Sequence, residues 1–357
     1  MLSVDDVLLV PGFGVLPSRE QAELYPFIYS APMDRVTGYK LAAAMLAEGE
    51  IPVISRNLPE AEFEKCLQEF AGEDRVFFAV SAKPEWLSEF FRKLEAAGFD
   101  SGKMNLAIDI AHGDSVLAHD CARYLQGLDF VGKIMSGSVA TPAGAIRAVL
   151  AGCTHVRVGV GPGSMCTTRE TTGFGVPQLS AVYHISKAFP YSSPERFITR
   201  DEVTIIADGG IRKPGDAVKY LVGGADAIMM GSAFSKTIES PGWYHSGFHP
   251  IDESGPVSFP LPDPQPIFSK TYRGCASASH QQDHAGAVRR TPEGESSSEF
   301  EWDGTTSVST VVAMYRGGLA SAISYGGLTN MRDLSSKVEM IRVTSSTRIE
   351  GSAHGNL

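Results

Sequence analysis

Short apolar runs recur along the chain at 26–30, 51–54, 76–80, 105–109, 130–135, 155–159, 203–207 and 226–230, each followed by glycine or polar residues. Runs of this length with no polar face suit parallel strands buried on both sides. Between them, apolar residues return at helical spacing over 39–48, 60–71, 84–97, 115–125, 142–151, 179–188 and 214–222. Eight strands alternating with helices predict an α/β chain folded as a (β/α)8 TIM barrel. A doubly wound open sheet is the alternative, but the glycine fingerprint that usually follows its first strand is missing.

Two stretches break the alternation. Residues 241–270 are rich in Pro, Gly, Ser and aromatics, and 277–306 are polar around Gly294-Glu295-Ser296-Ser297-Ser298. Both read as long loops on the barrel rather than a second domain, and loops of that length often serve as lids. A helical pattern resumes over 308–324, and a polar tail covers 344–357. Residues 1–357 are thus expected to form a single barrel domain with a flap near 277–306 and a C-terminal tail.

Composition narrows the function. Hydrophobic residues make up 43% and charged residues 20%, the balance of a packed globular protein. A net charge of -10 gives no general attraction to nucleic acid, though a local pocket for one phosphate stays compatible with it. No apolar run approaches the ~20 residues that span a bilayer, and the N-terminus has no basic, apolar leader pattern. A cytoplasmic protein with no membrane partner is expected. The five cysteines are scattered and never form a CxxC pair, which fits reduced thiols better than disulfides or structural zinc. Among nine histidines there is no HExxH and no clustered His-carboxylate set, so spacing alone predicts no metal centre.

Barrel enzymes carry their chemistry at the C-terminal ends of the strands. Here those ends hold Met33-Asp34, Asp109 to Gly113, Ser136-Gly137-Ser138, Gly161 to Arg169, Asp208-Gly209-Gly210 and Gly231-Ser232. The turns after strands seven and eight suit a phosphate held on backbone N–H groups, with Ser164 and Ser232 adding hydroxyls. The plainer reading is that Gly209 and Gly210 only make a tight turn. Asp208 suits the two hydroxyls of a ribose, so a nucleoside monophosphate is the natural ligand. Cys166 lies on a glycine-rich loop beside hydroxyls and Arg169, a setting for a reactive thiolate. Cys66, Cys121 and Cys153 read as small buried hydrophobes, Cys275 as a pocket wall, and His112 as a residue that orients its neighbours.

Together these motifs resemble the family of inosine monophosphate dehydrogenase and guanosine monophosphate reductase across nearly the whole chain. The resemblance is carried by Asp5 to Leu9, Met33-Asp34, Gly161 to Arg169, Ile206 to Gly210, Met230-Gly231-Ser232, Tyr272-Arg273-Gly274 and Arg348 to Gly351. The CBS modules usually inserted after the second strand of the dehydrogenases are absent. The Arg-Tyr pair that activates water on the dehydrogenase flap is also missing between Tyr272 and Gly294. Arg290-Thr291-Pro292-Glu293-Gly294 instead looks like the reductase element that brings a Glu beside a Thr.

The resemblance therefore implies NADPH-dependent reductive deamination of GMP to IMP and ammonia, with Cys166, Thr168 and Glu293 catalytic. It implies a substrate site of Met33, Ser164, Asp208, Gly210, Gly231, Ser232, Tyr272, Gly274, Arg290 and Gly294. Asp109, Ser138, Gly159 and Gly161 would hold the cofactor, and the assembly would be a homotetramer. The tail Glu350-Gly351-Ser352 resembles the dehydrogenase segment that completes a neighbour's monovalent-cation site, so Gly161, Gly163, Cys166 and Glu350 form a candidate K+ site. Departures from the family pattern are Arg35, Ser138, Cys275 and Pro292. An IMP dehydrogenase using NAD and lacking CBS modules is the alternative, and a non-catalytic nucleotide-binding barrel is a third reading.

Overall fold

The computed structural model describes residues 1–96, 98, 103–189, 200–242, 244–246, 249–251, 268–288, 291–295, 298–302 and 304–351. Eight parallel strands form the centre: β1 Ile28–Ser30, β2 Val53–Ile54, β3 Phe77–Val80, β4 Met104–Ile108, β5 Val131–Val139, β6 His155–Val158, β7 Thr204–Asp208 and β8 Ala227–Met230. They follow one another around the sheet in the order β1, β8, β7, β6, β5, β4, β3, β2. A parallel bridge between Tyr29 and Ile51 joins the two ends, with Ser30 N donating to Ile51 O at 3.2 Å and Ile51 N donating to Ile28 O at 3.1 Å. The sheet is thereby a (β/α)8 barrel with no long free edge.

The strands form where they do because their residues are apolar throughout. Every residue of β3 and β8 is buried. Around them run α1 Tyr39–Ala47, α2 Glu60–Phe70, α3 Pro84–Ala96, α4 Val116–Gln126, α5 Pro142–Leu150, α6 Gln178–Ser186, α7 Pro214–Val222 and α8 Val308–Tyr325. Several starts are encoded locally. Ser115, Thr141 and Ser307 cap α4, α5 and α8 with their hydroxyls, and Pro142 and Pro214 open α5 and α7. Helix α2 shows the packing logic, burying Phe63, Cys66 and Leu67 while its other face is charged. A fully buried side chain of that size contributes roughly 1.5–3 kcal/mol.

Inside the barrel, the His155 ring stands 5.0 Å from Phe77 and 6.3 Å from Tyr29, centroid to centroid. Burial, with Lys133 adding to it, pushes this imidazole down to about 3, so it is neutral. Glu50 is fully buried and accepts from the Phe27 and Ile28 amides while pairing with Arg316 of α8 at 2.7 Å. That pair fastens α8 to the start of β1.

Two features depart from the expectation. Strand Val7–Leu9 pairs antiparallel with Met340–Arg342, a pairing that the pattern of either segment does not announce. The stretches expected to be loops instead contribute strands Tyr244–Ser246, His249–Ile251, Phe268–Tyr272 and Ser298–Trp302 to a four-stranded sheet, and 277–306 also contains the helix Ala278–Ala285. The reason lies in the aromatic and β-branched residues of Phe268-Ser-Lys-Thr-Tyr272 and in the polar–aromatic alternation of Glu299-Phe-Glu-Trp302. The Pro- and Gly-rich composition around them hides that alternation. The two strands pair in register from Phe268↔Trp302 to Tyr272↔Ser298 and so bring the flap back to the barrel mouth. No helix among the described residues is long and apolar enough to cross a membrane.

Candidate active site

Cys166 is exposed on the loop after β6, and its thiol donates to Thr168 Oγ1 at 3.1 Å. The same hydroxyl donates to Glu293 Oε2 at 2.8 Å. A continuous hydrogen-bonded path thus runs from sulfur through hydroxyl to carboxylate, across residues 125 positions apart in the chain. Backbone pairing holds it. Thr167 N donates to Glu293 O at 3.0 Å and Glu295 N to Met165 O at 2.9 Å, while Gly294 bridges both Cys166 and Ser277. The crossing is close enough that a Cβ on Gly294 would meet Met165 O at 3.1 Å, and one on Gly274 would meet it at 3.0 Å.

Arg169 is bonded to the backbone of its own loop. Its guanidinium donates to Val160 O at 3.0 Å and Val176 O at 2.8 Å, and so braces the loop from behind. Gly161 fits that brace, since a Cβ there would meet Arg169 Cγ at 2.6 Å. The other four thiols are shifted away from the thiolate form. Burial pushes Cys66 and Cys153 up to about 12 and Cys121 to about 11, and burial together with the charges of Asp109 and Asp34 raises Cys275 further.

Four of the expected substrate residues converge at the ends of β1 and β8. The Tyr272 hydroxyl donates to Met33 Sδ at 3.4 Å and is hydrogen-bonded with Ser164. A Cβ on Gly231 would meet that hydroxyl at 2.8 Å. Next to it, Gly209 and Gly210 both hold positive φ, +84° and +73°; Gly209 N donates to Met229 O at 3.2 Å, so it is the Gly210 side of the turn that can offer an N–H to an anion. Ser232 begins the short helix Ser232–Ser235 directly after β8.

The carboxylates have partners that the sequence reading did not supply. Asp208, at the end of β7, is held by Arg157 of β6, with Nε at 3.0 Å and Nη2 at 2.9 Å from Oδ2. Asp109, just past β4, is held by Arg56 at 3.0 Å. Arg157 is 9% exposed and its Nη1 is buried with no hydrogen-bond partner among the described residues. The lone charge in His155-Val-Arg-Val158 is the signal that could have found such a pair, because a buried charge needs a counter-charge.

The remaining expected residues are dispersed. Ser138 O accepts from Gly113 N at 3.0 Å. Gly159 is packed rather than open, since a Cβ there would meet Asp208 O at 2.5 Å and the Gln178 amide at 2.7 Å. Gly163 O accepts from Cys166 N at 3.1 Å, closing the turn that presents the thiol. Glu350 ends the helix Ser345–Glu350 and is exposed. Arg290 lies outside the described residues.

Space also assembles what spacing did not predict. Asp34 after β1 meets His280 and His284 of the helix Ala278–Ala285, with one ligand atom from each within 4.8 Å of the others. Asp34 also binds Arg273 at 2.5 Å. Burial alone would raise the Asp34 carboxyl, but hydrogen bonds from His284 and Arg273 and the guanidinium charge outweigh it and hold the group well below the usual carboxylate range.

Residues 2–354 match the IMP dehydrogenase / GMP reductase domain model. The chain is 32% identical to an inosine-5'-monophosphate dehydrogenase of Chlorobaculum parvum over 79% of its own length and 53% of the relative's. It is also 32% identical to that of Escherichia coli K12, over 73% of its length and 49% of the relative's. The chain thus spans about half the length of the dehydrogenases it matches. A GMP reductase of Tolumonas auensis is 27% identical over 96% of this chain and 95% of its own. With a matching domain over almost every residue, and the thiol, hydroxyl and carboxylate aligned at the barrel mouth, the chain belongs to the IMP dehydrogenase / GMP reductase family.

Proposed function

We propose that the protein is a GMP reductase, converting GMP to IMP and ammonia at the expense of a reduced nicotinamide nucleotide. The observation that carries this reading is the path from Cys166 through Thr168 to Glu293, with hydrogen bonds of 3.1 and 2.8 Å. It supplies a nucleophile and a proton carrier but no arginine-tyrosine pair to activate water on the segment between Tyr272 and Gly294. The match to a GMP reductase over 96% of this chain and 95% of the relative supports the same reading.

In the proposed reaction the Cys166 sulfur adds to C2 of the purine, and its proton passes to Thr168 and Glu293. The same pair then protonates the departing amine, so that ammonia leaves and sulfur stays bonded to C2. The phosphate would lie over Gly210 and Gly231, with Ser164, Ser232 and Tyr272 around it. The ribose would face Asp208, whose orientation Arg157 fixes.

The residues present fit a nicotinamide nucleotide beside the purine. Asp109 offers an oriented carboxylate for a ribose, and Arg157, which feels the charges of both Asp208 and Asp109, has a buried Nη1 with no hydrogen-bond partner among the described residues. Such a cofactor, when bound, supplies the hydride that replaces sulfur at C2. Cys166 would then be expelled as a thiolate and take a new proton from solvent through Glu293 and Thr168.

The higher identity of the dehydrogenases, 32% against 27%, favours oxidation of IMP with NAD as the second reading. Purified protein given GMP and NADPH should consume NADPH with equal release of IMP and ammonia. Formation of NADH and xanthosine monophosphate from IMP and NAD, with no reaction of GMP, would replace the reductase by the dehydrogenase. Nucleotide binding without turnover in either mixture would leave a binding barrel. The homotetramer implied by the family likeness is tested by light scattering of the same preparation.

A further inference from the structure

We propose that Asp34, His280 and His284 form a binding site for a divalent transition metal of the zinc type, which clasps the segment after β1 to the flap helix. The donor atoms already stand within 4.8 Å of one another. Zinc at ~2.0–2.2 Å from each ligand needs only small rotamer adjustments to draw such a set together. The two histidines lie four residues apart on the helix Ala278–Ala285, one turn above the other, and their rings are 4.4 Å apart. His284 Nε2 is 3.4 Å from Asp34 Oδ2.

A second observation points to a ligand independently of the clustering. Asp34 is 8% exposed, and its Oδ1 is buried with no hydrogen-bond partner among the described residues. A buried carboxylate oxygen left without a donor is expensive, and a cation bound there removes the penalty. Its other oxygen, Oδ2, accepts from Arg273 at 2.5 Å. Metal-bound carboxylates usually carry such an outer hydrogen bond on the free oxygen, so Arg273 is placed as a supporting donor.

The surrounding charges are mixed. Arg273 and Arg35 face Asp34 and Arg56 faces His280, while Asp283 pairs with Arg273 and offsets part of that positive charge. Asn57 Nδ2 donates to His280 Nε2 at 3.3 Å, a contact that a metal bound through that nitrogen would replace. Two imidazoles and one carboxylate select a borderline ion such as Zn2+ over Mg2+ or Ca2+, which take all-oxygen sets.

The clasp would act on the catalytic path through the backbone. The helix that carries both histidines starts directly after Ser277, Ser277 bridges Gly294, and Gly294 bridges Cys166. Fixing the helix to Asp34 therefore steadies the strand segment that presents Glu293 to Thr168.

The test is a Zn2+ titration of chelator-stripped protein against a chromophoric competitor, repeated with Co2+ for its visible spectrum. One ion per chain is expected in the wild type and in Cys166→Ala. His280→Ala and His284→Ala should each weaken binding at least about tenfold. His184→Ala, on the exposed face of α6, should leave it unchanged. Co2+ should show d–d bands without sulfur charge transfer. His284 is partly exposed, so its variant keeps the fold even where His280→Ala does not, and thermal midpoints in metal-free buffer check both. Loss of the ion in Cys166→Ala, a sulfur charge-transfer band, or equal affinity in the two histidine variants and the wild type would overturn the site.

Discussion

Replacing Glu293 by glutamine separates shape from proton transfer at the proposed catalytic path. The amide has the size of the carboxylate and can still accept from Thr168, which lies at 2.8 Å. Its backbone anchors are untouched, because Glu293 O accepts from Thr167 N at 3.0 Å and Glu293 N donates to Ala276 O at 3.1 Å. What disappears is the ability to take up a proton from sulfur and return it to the departing amine. General acid–base catalysis of this kind contributes ~10²–10⁴-fold. Turnover of GMP should therefore fall by that factor, a barrier increase of about 2.7–5.5 kcal/mol. The KM for GMP should change little, since no ground-state contact is removed. The assay is steady-state loss of NADPH with ammonia measured in parallel. A Glu293→Gln enzyme within about threefold of wild-type kcat, or one whose defect lies wholly in KM, would refute the role assigned to Glu293.

Three further outcomes follow from the packing. Arg157→Met strips the partner from Asp208, whose side chain is 15% exposed, and should lower stability to chemical denaturant by roughly 3–5 kcal/mol, with Arg157→Lys losing less. Gly231→Ala puts a Cβ 2.8 Å from the Tyr272 hydroxyl and 3.2 Å from Met33 Sδ. It should cost about 1–3 kcal/mol of stability and raise the KM for nucleotide more than it lowers kcat. The neutral His155 makes the fold acid-sensitive, because its pKa drops from 6.5 in the unfolded chain to about 3 in the barrel. The unfolded chain takes up a proton that the folded one refuses, so stability is complete above about pH 6.5 and falls by roughly 1.4 kcal/mol per unit as the pH drops toward 3. The drop in thermal midpoint between about pH 7 and about pH 5 should therefore be smaller in His155→Leu than in the wild type.

The barrel was legible because buried parallel strands carry their signature locally. Phe77-Phe-Ala-Val80 and Ala227-Ile-Met-Met230 have no polar face, and no other common strand environment calls for that. The strand ends were legible for the same reason, since glycine and hydroxyl residues stand out against such runs. The flap sheet was missed because its alternation is short and set among Pro, Gly and Ser. Its pairing partners, Phe268–Tyr272 and Ser298–Trp302, are brought together by closure of a long loop rather than by a tight turn with a sequence signature.

The ion pairs and the histidine cluster illustrate a different limit, that of information held only in three dimensions. Arg157 and Asp208 are 51 residues apart, Arg56 and Asp109 are 53 apart, and Asp34 and His284 are 250 apart. No window along the chain contains both members of any pair. Yet half of each is visible. A guanidinium inside β6 must meet an acid on a strand beside it, and β7 is one of those strands and ends in Asp208. Two histidines four apart on a helix at the barrel mouth must face whatever the neighbouring strand end offers, and β1 is followed by Asp34. Once the strand order is known, the counter-charge of a buried charge can be sought at the ends of two strands only, which turns an unplaced polar residue in an apolar run into a prediction of its partner.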